Sequence, residues 1–447
     1  MKTMRLSLVG LLAMLIALAI PSAAGAQDGD TQAVFGNLEF EDPETGEDVP
    51  VEGASITVVD VGTVVSETDG TFRLEVPEAG TYVVELDIES LPEGVVLRNP
   101  ERQSLERVVE AGQDGRVLFA LTAGESDLGS AADGGSGISG RRVAQLTVEG
   151  LKQGLYIAMA AIGLSLIFGT TGLVNFAHAE MVTWGQLATY FFNFYGLAGL
   201  IGFLAPLPGP LGDGVNLIIA AVFGVIAGGL MGYALDRGIF RGARRSGVSL
   251  IAQMVMTIGL SILLRYVFLY SFGGNPRTFG DFAAQRAWKI WIVEITPKDL
   301  VAMTLSVVTL VGVGLYLVYT RMGKAMRAVA DNRDLAESSG IDVQRVITLV
   351  WVAGGGLAAL GGVFFGLDQV KWDFGFRILL LIFASVTLGG LGTAFGALLG
   401  SLVVGLTINL STLVIDAELK NMVALLVLVA ILLVRPQGLL GRAERVG

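Results

Sequence analysis

Cysteine is absent from the 447 residues, which removes disulfides, thiolate zinc sites and iron–sulfur clusters. Histidine occurs once, at His178, so an all-histidine metal centre is excluded too. Charge is scarce: 16% of residues are charged, against about a quarter in a soluble domain. No GxxxxGK[ST] segment occurs, because Gly323-Lys324 lacks the upstream glycine, and the chain therefore has no phosphate loop for ATP. A net charge of −11 offers no broad basic footprint for nucleic acid. What is plentiful is apolar side chain, 53% of the residues, and glycine, 61 residues, nearly double the usual share of about 7%.

The charge is unevenly placed. Residues 28–140 carry 25 acidic and 5 basic side chains, whereas 141–447 carry 16 acidic and 23 basic ones. An acidic front segment is thus joined to a basic, mostly apolar body.

The N-terminus has a basic start at Lys2 and Arg5, an apolar run over 6–20 and a small-x-small site at Ala24-Gly25-Ala26. That order describes a cleaved secretory signal over 1–26, and an uncleaved signal anchor would export the adjoining acidic segment equally well. Residues 31–122 alternate with the strand period: Phe72, Leu74 and Val76 share one face, with Arg73 and Glu75 on the other. Turn residues at Asp69-Gly70 and Pro92-Glu93-Gly94 separate such runs, which predicts a small antiparallel β-sandwich outside the cytoplasm. Its carboxylates lack the alternating Asp/Asn spacing of a dedicated calcium loop, and a solvated acidic surface accounts for them. Residues 123–142, rich in Gly, Ser, Ala and Asp, read as a flexible linker.

From 143 to 447 the pattern is that of an all-α polytopic membrane domain. Apolar stretches of about 20 residues recur, near 148–170, 181–205, 215–235, 248–270, 299–319 and 345–367, with a long segment over 377–411 and a last span over 420–435. About eight spans result. Positive clusters mark cytoplasmic loops: Arg237, Arg241, Arg244 and Arg245; then Arg321, Lys324, Arg327 and Arg333; then Arg435, Arg442 and Arg445 at the C-terminus. With the sandwich outside, parity requires 377–411 to begin and end outside. It divides at Gly389, Gly390, Gly392 and Thr393, either as two short crossings or as a re-entrant hairpin, and such broken helices often mark a transport path. Glycines and other small residues recur at i+4, as in Gly224, Gly228 and Gly232, and let helices pack closely within the chain, at a subunit interface or along a conduit.

Two resemblances rest on motifs. Val51-Glu52-Gly53-Ala54-Ser55, Thr68-Asp69-Gly70-Thr71-Phe72 and Ala79-Gly80-Thr81-Tyr82 resemble the carboxypeptidase-regulatory or transthyretin-like sandwich, a module that implies a spacer or docking role. The polar stretch from Gly323 to Asp342 carries Asp334, Leu335, Ala336 and Gly340 where the coupling loop of importer-type ABC permeases has Glu-Ala-Ala-x3-Gly; the first two positions depart from that pattern. More extensively, the run from Gly163 through Thr170, Asn175, His178 and Ala179 to Glu180 resembles the first-span signature of the LivH family of branched-chain amino acid permeases and their urea-transporting relatives. Gly340-Ile341, Leu388 to Thr393 and Arg435-Pro436-Gln437-Gly438 are similar to the same family, which commonly has glycine where Ala179 stands.

The LivH resemblance implies a multi-pass permease of the cell membrane with a cytoplasmic C-terminus. It implies partners: a second related permease, two ATPase subunits that use ATP, an extracytoplasmic binding protein and membrane lipid. No cofactor or metal is expected on this chain, and it is not itself an enzyme. Arg327, Asp334, Ala336, Gly340 and Ile341 are expected in the ATPase coupling loop. Asn175, His178, Glu180, Gly389, Gly390, Gly392 and Thr393 are candidate gate or conduit groups, the alternative for His178 and Glu180 being helix-cap or loop packing. His178 and Glu180 are expected on the cytoplasmic side, where the first span yields to the second, and Arg265 near the outer end of its span, placed to snorkel. A urea or short-amide permease is the alternative substrate reading. An ion-coupled secondary transporter is the alternative class, disfavoured because the expected span interiors hold no carboxylate or histidine.

Overall fold

The computed structural model describes residues 32–41, 48–78, 80–92, 94–97, 103–109, 115–117, 119, 121–123, 140–197, 214–279, 285, 287–415, 419–434 and 438–440. The signal segment 1–26, most of the linker 123–142 and the arginines at 435, 442 and 445 lie outside them. The described residues fall into two compact units, one within 23–137 and one within 138–447.

The first unit is all β. Its strands are β1 (Gln32–Asn37), β2 (Glu39–Glu41), β3 (Asp48–Pro50), β4 (Ser55–Val58), β5 (Gly62–Val65), β6 (Thr71–Val76), β7 (Gly80–Leu86), β8 (Val95–Leu97), β9 (Ser104–Val109), β10 (Gly115–Val117) and β11 (Leu121–Ala123). One sheet has the order β10-β1-β6 and the other β5-β4-β7-β9, with short β2-β3 and β8-β11 ribbons beside them. The alternation holds: Phe72, Val76, Val84 and Leu86 are buried, while Arg73, Glu75 and Glu85 are exposed. Together with Val34, Leu38, Ile56 and Val117 they form one apolar core. At the Asp69-Gly70 turn the backbone N–H and hydroxyl of Thr71 donate to Asp69 Oδ1 at 3.0 and 2.6 Å, which fixes the entry to β6.

The second unit is helical: α1 (Gly140–Thr171), α2 (His178–Tyr195), α3 (Leu217–Leu235), a π-helical turn (Asp236–Phe240), α4 (Arg241–Arg245), α5 (Leu250–Phe272), α6 (Pro297–Tyr319), α7 (Arg321–Asp331), α8 (Arg333–Ser338), α9 (Val343–Gly366), α10 (Phe374–Gly389), α11 (Ala394–Ser411) and α12 (Lys420–Val434). A hairpin of β12 (Trp288–Ile290) and β13 (Val293–Ile295) lies between α5 and α6. Among the described residues six helices are long and apolar enough to cross a membrane: α1, α3 with its continuation to Arg245, α5, α6, α9 and α11; α10 is apolar but shorter. The expected segment 377–411 is indeed two helices, α10 and α11, parted at 390–393.

α1, α2 and α9 form the centre, and α5 and α6 form a periphery whose apolar side chains are largely exposed. The glycine stripes close contacts inside the chain. A Cβ at Gly228 would fall 2.2 Å from Ala359 Cβ, and one at Gly405 would fall 2.4 Å from the Gly150 carbonyl. Close backbone approach of this kind is how apolar helices associate without a hydrophobic driving force between them. α11 follows α1 along its length, from Gly392 beside Gly169 to Gly405 beside Gly150.

Candidate functional site: the polar helix pair, the glycine break and the α1–α2 turn

The loop between α6 and α9 is two short helices. Thr320 Oγ1 accepts from Gly323 N at 2.9 Å and starts α7; Asn332 Oδ1 accepts from Leu335 N at 2.9 Å and starts α8. α7 buries Gly323, Met326 and Val329 on one stripe and exposes Arg321, Lys324 and Arg327. α8 ends in a Schellman motif. Gly340 has φ +84°, its N–H donates to the Glu337 carbonyl at 3.0 Å, and the Ile341 N–H donates to the Ala336 carbonyl at 3.1 Å. Ala336 is buried and anchors α8, whereas Asp334 and Gly340 are exposed. A side chain at Gly340 would meet nothing within 4 Å, so its backbone conformation, not space, calls for glycine there. Leu335 is 64% exposed beside them, an apolar side chain presented on a polar element.

The glycine break faces this loop across a cavity. Gly390 and Gly392 have φ of +113° and +80°, and Thr393 Oγ1 donates to the Gly390 carbonyl at 2.8 Å. A Cβ at Gly389 would fall 1.9 Å from the Gly396 carbonyl, so the turn between α10 and α11 is closed to larger residues. The C-terminal motif caps it: Leu439 N and Leu440 N donate to the carbonyls of Leu388 and Gly389 at 2.7 and 2.9 Å. Between α1, α7 and the break lies a cavity of about 800 Å³, lined by Gly169, Gly172, Lys324, Arg327, Asp331, Gly392 and Thr393 among others. Three motifs far apart in sequence therefore meet at one end of the helical unit.

Asn175, His178 and Glu180 lie elsewhere. After Thr171 the chain turns at Gly172 (φ +68°) and runs back without helical structure to His178, so α2 begins beside the middle of α1. His178 Nε2 donates to the Ala160 carbonyl at 2.9 Å, and Ser261 Oγ of α5 donates to Glu180 Oε1 at 3.0 Å. The expectation that both residues sit at the cytoplasmic end of the first span is corrected accordingly: their partners lie half-way along α1 and α5. Asn175 Oδ1 accepts from Ala177 N at 3.1 Å, Phe176 N donates to Thr257 Oγ1, and Gly375 N donates to Thr183 Oγ1. Non-helical backbone at such depth is tolerated because protein surrounds it. Asn175, His178 and Glu180 are all at least 99% buried. The premise that span interiors hold no carboxylate or histidine is likewise overturned. Arg265 does not stand free, since its guanidinium lies 4.1 Å from the centre of the Phe376 ring on α10.

Sequence reading missed two ion pairs, one half-buried and one buried. Lys152 Nζ of α1 donates to Asp299 Oδ2 of α6 at 3.1 Å, with Thr296 also bonded to that oxygen. Asp236, fully buried in the π-helical turn, accepts from Arg244 and from Thr348 Oγ1 of α9. In each case a carboxylate is compensated from another helix, a pairing with no local signal.

Residues 146–432 match the model of the branched-chain amino acid transport system permease component. The chain is 31% identical over 313 residues to the high-affinity branched-chain amino acid transport system permease protein LivH of Salmonella typhimurium, covering 67% of this chain and 96% of that protein. It is 30% identical over 312 residues to LivH of Escherichia coli K12, with the same coverage. With BraD of Pseudomonas aeruginosa the identity is 29% over 311 residues, again 67% and 96%. No solved structure matches. These matches span the helical unit from the first signature through the glycine break, and the chain belongs to the LivH-type family of branched-chain amino acid transport permeases.

Proposed function

We propose that this chain is the membrane-spanning permease subunit of an ATP-driven importer of branched-chain amino acids. Near-complete coverage of LivH and BraD relatives carries this reading, and the substrates those relatives are named for favour amino acids over the urea alternative. The chain has no phosphate loop, so ATP hydrolysis belongs to separate subunits. Two such ATPases, a second related permease and an extracytoplasmic binding protein complete the importer.

In this reading α7 and α8 are the coupling element. Leu335, with Asp334 next to it, enters a groove on the ATPase, Arg327 adds an exposed cation from α7, and Ala336 and the Gly340-Ile341 cap hold α8 as a rigid lever. Motion of the lever reaches the path through the cavity wall shared by α7 and the 389–393 break. Asn175, His178 and Glu180 brace the turn that starts α2 beside that path. We take α10 and α11 as two short crossings, since α11 and the break before it follow α1 from Gly150 to Gly169; this leaves α7, α8 and the C-terminus in the cytoplasm. Residues 1–26 direct export, 31–122 form an extracytoplasmic spacer or docking domain, 123–142 tether it, and 143–447 form the permease.

Copurification tests the division of labour. The tagged chain, expressed with its neighbouring transport subunits, should retain two ATPase subunits, and Leu335→Asp should release them without changing the amount of permease in the membrane. Full retention by that variant would refute the coupling assignment.

A further inference from the structure

One exposed stripe of α3 changes chemistry along its length. Val222, Ile226 and Leu230, 56%, 51% and 55% exposed, succeed one another at i+4, and Tyr233 continues the stripe. Arg237 comes next, its guanidinium 5.6 Å from the centre of the Tyr233 ring, and Arg241 and Arg245 repeat the spacing through the π-helical turn and α4. The stripe therefore runs from apolar to cationic over a few helical turns, with its cationic end on a loop of cytoplasmic character.

The cationic end is under-supplied with acceptors. Asp236 is the one acid between 217 and 248, and it is committed to Arg244 and Thr348. The Arg244 side chain is 8% exposed, yet its Nε and Nη1, together with Nε of Arg241, are buried without an acceptor. Among the described residues no carboxylate pairs with Arg237, Arg241 or Arg245. Buried donors without acceptors are costly, and like charges gathered at one site repel. An oxygen-rich anion beside Arg237, Arg241 and Arg245 would relieve that repulsion.

We propose that the site binds an anionic phospholipid of the cytoplasmic leaflet. Its phosphate sits among Arg237, Arg241 and Arg245, the arginines of the cluster that reach the surface, and an acyl chain lies along Tyr233, Leu230, Ile226 and Val222. The apolar half of the stripe selects a lipid over a soluble phosphate or an acidic protein segment, neither of which would use it.

The test uses the full chain purified in a mild detergent and titrated with phosphatidylglycerol or phosphatidylcholine, with bound lipid counted by native mass spectrometry. The wild-type chain should retain phosphatidylglycerol about tenfold better than phosphatidylcholine, the order expected when each arginine near an anionic headgroup adds a comparable increment. Arg241→Gln with Arg245→Gln, which spares the Arg244–Asp236 pair, should abolish that preference while keeping the same melting temperature in phosphatidylcholine. Ile226→Ser with Leu230→Ser should weaken retention of either lipid with the cluster intact. Equal retention of both lipids by the wild-type chain would overturn the proposal, as would an unchanged preference in the arginine variant. Displacement of the lipid by millimolar inorganic phosphate would make this a free-anion site. Loss of ATPase copurification in the arginine variant, with lipid binding unchanged, would make it a protein contact.

Discussion

Gly169 of α1 and Gly392 of the α10–α11 break lie backbone to backbone, so that a Cβ at Gly169 would fall 3.1 Å from the Gly392 carbonyl. This contact forms one wall of the cavity whose other wall is α7, and it joins the first-span signature to the glycine break. Gly392 also has φ +80°, a conformation that β-branched residues rarely adopt. Gly392→Val should therefore lower the melting temperature and abolish uptake, whereas Gly312→Ala, at a helical position with open space around it, should preserve both. Uptake at the wild-type rate by Gly392→Val, measured with equal protein in the membrane, would show that the break need not keep this geometry.

A second prediction concerns the end of α8. Gly340 is open in space and constrained in backbone, so Gly340→Leu should cost about 1–2 kcal/mol locally through its left-handed conformation, uncoupling transport while insertion stays intact. Gly340→Asn, which tolerates that conformation, should retain most of the uptake. Equal uptake by Gly340→Leu and the wild-type chain would remove the lever from the mechanism.

Glu180 offers a stability test inside the helical unit. Its carboxylate accepts from Ser261 Oγ, and both residues are buried. Glu180→Ala leaves the hydroxyl without that acceptor and should cost about 1–3 kcal/mol, read as a lowered melting temperature in detergent. Glu180→Gln keeps an acceptor oxygen and should lose much less. Indistinguishable melting of the two variants would mean that the Ser261 bond contributes nothing.

Much of this architecture is legible in the sequence, and the residues show why. Phe72 and Val76, or Gly340 and Ile341, obey rules that act over a few residues: strand alternation and a helix cap. The break in 377–411 is also legible, because charge on distant loops fixes the parity. The path of 172–180 is not. Hydropathy measures how long an apolar run is, not where it turns back, and the polar side chains of His178 and Glu180 mimic a loop at a membrane surface. Their partners, Ala160 and Ser261, lie on other segments, so nothing nearby in sequence signals that they are buried and bonded there. Lys152 with Asp299, and Asp236 with Arg244 and Thr348, are hidden for the same reason.

The β unit stands apart from the family match, which begins at residue 146. Deleting 28–140 while keeping the signal should leave ATP-driven uptake within about twofold of the full chain. Loss of uptake with the truncated protein still in the membrane would make the sandwich part of the import machinery.

ATP-driven import is measured in proteoliposomes that hold this chain with a second permease and two ATPases, supplied with binding protein and radiolabelled leucine. Leucine should accumulate only when ATP is present on the ATPase side, and Leu335→Asp in this chain should abolish accumulation while leaving the permease in the bilayer. Accumulation driven by a proton or sodium gradient without ATP would contradict the account, as would ATP-driven uptake unaffected by that substitution.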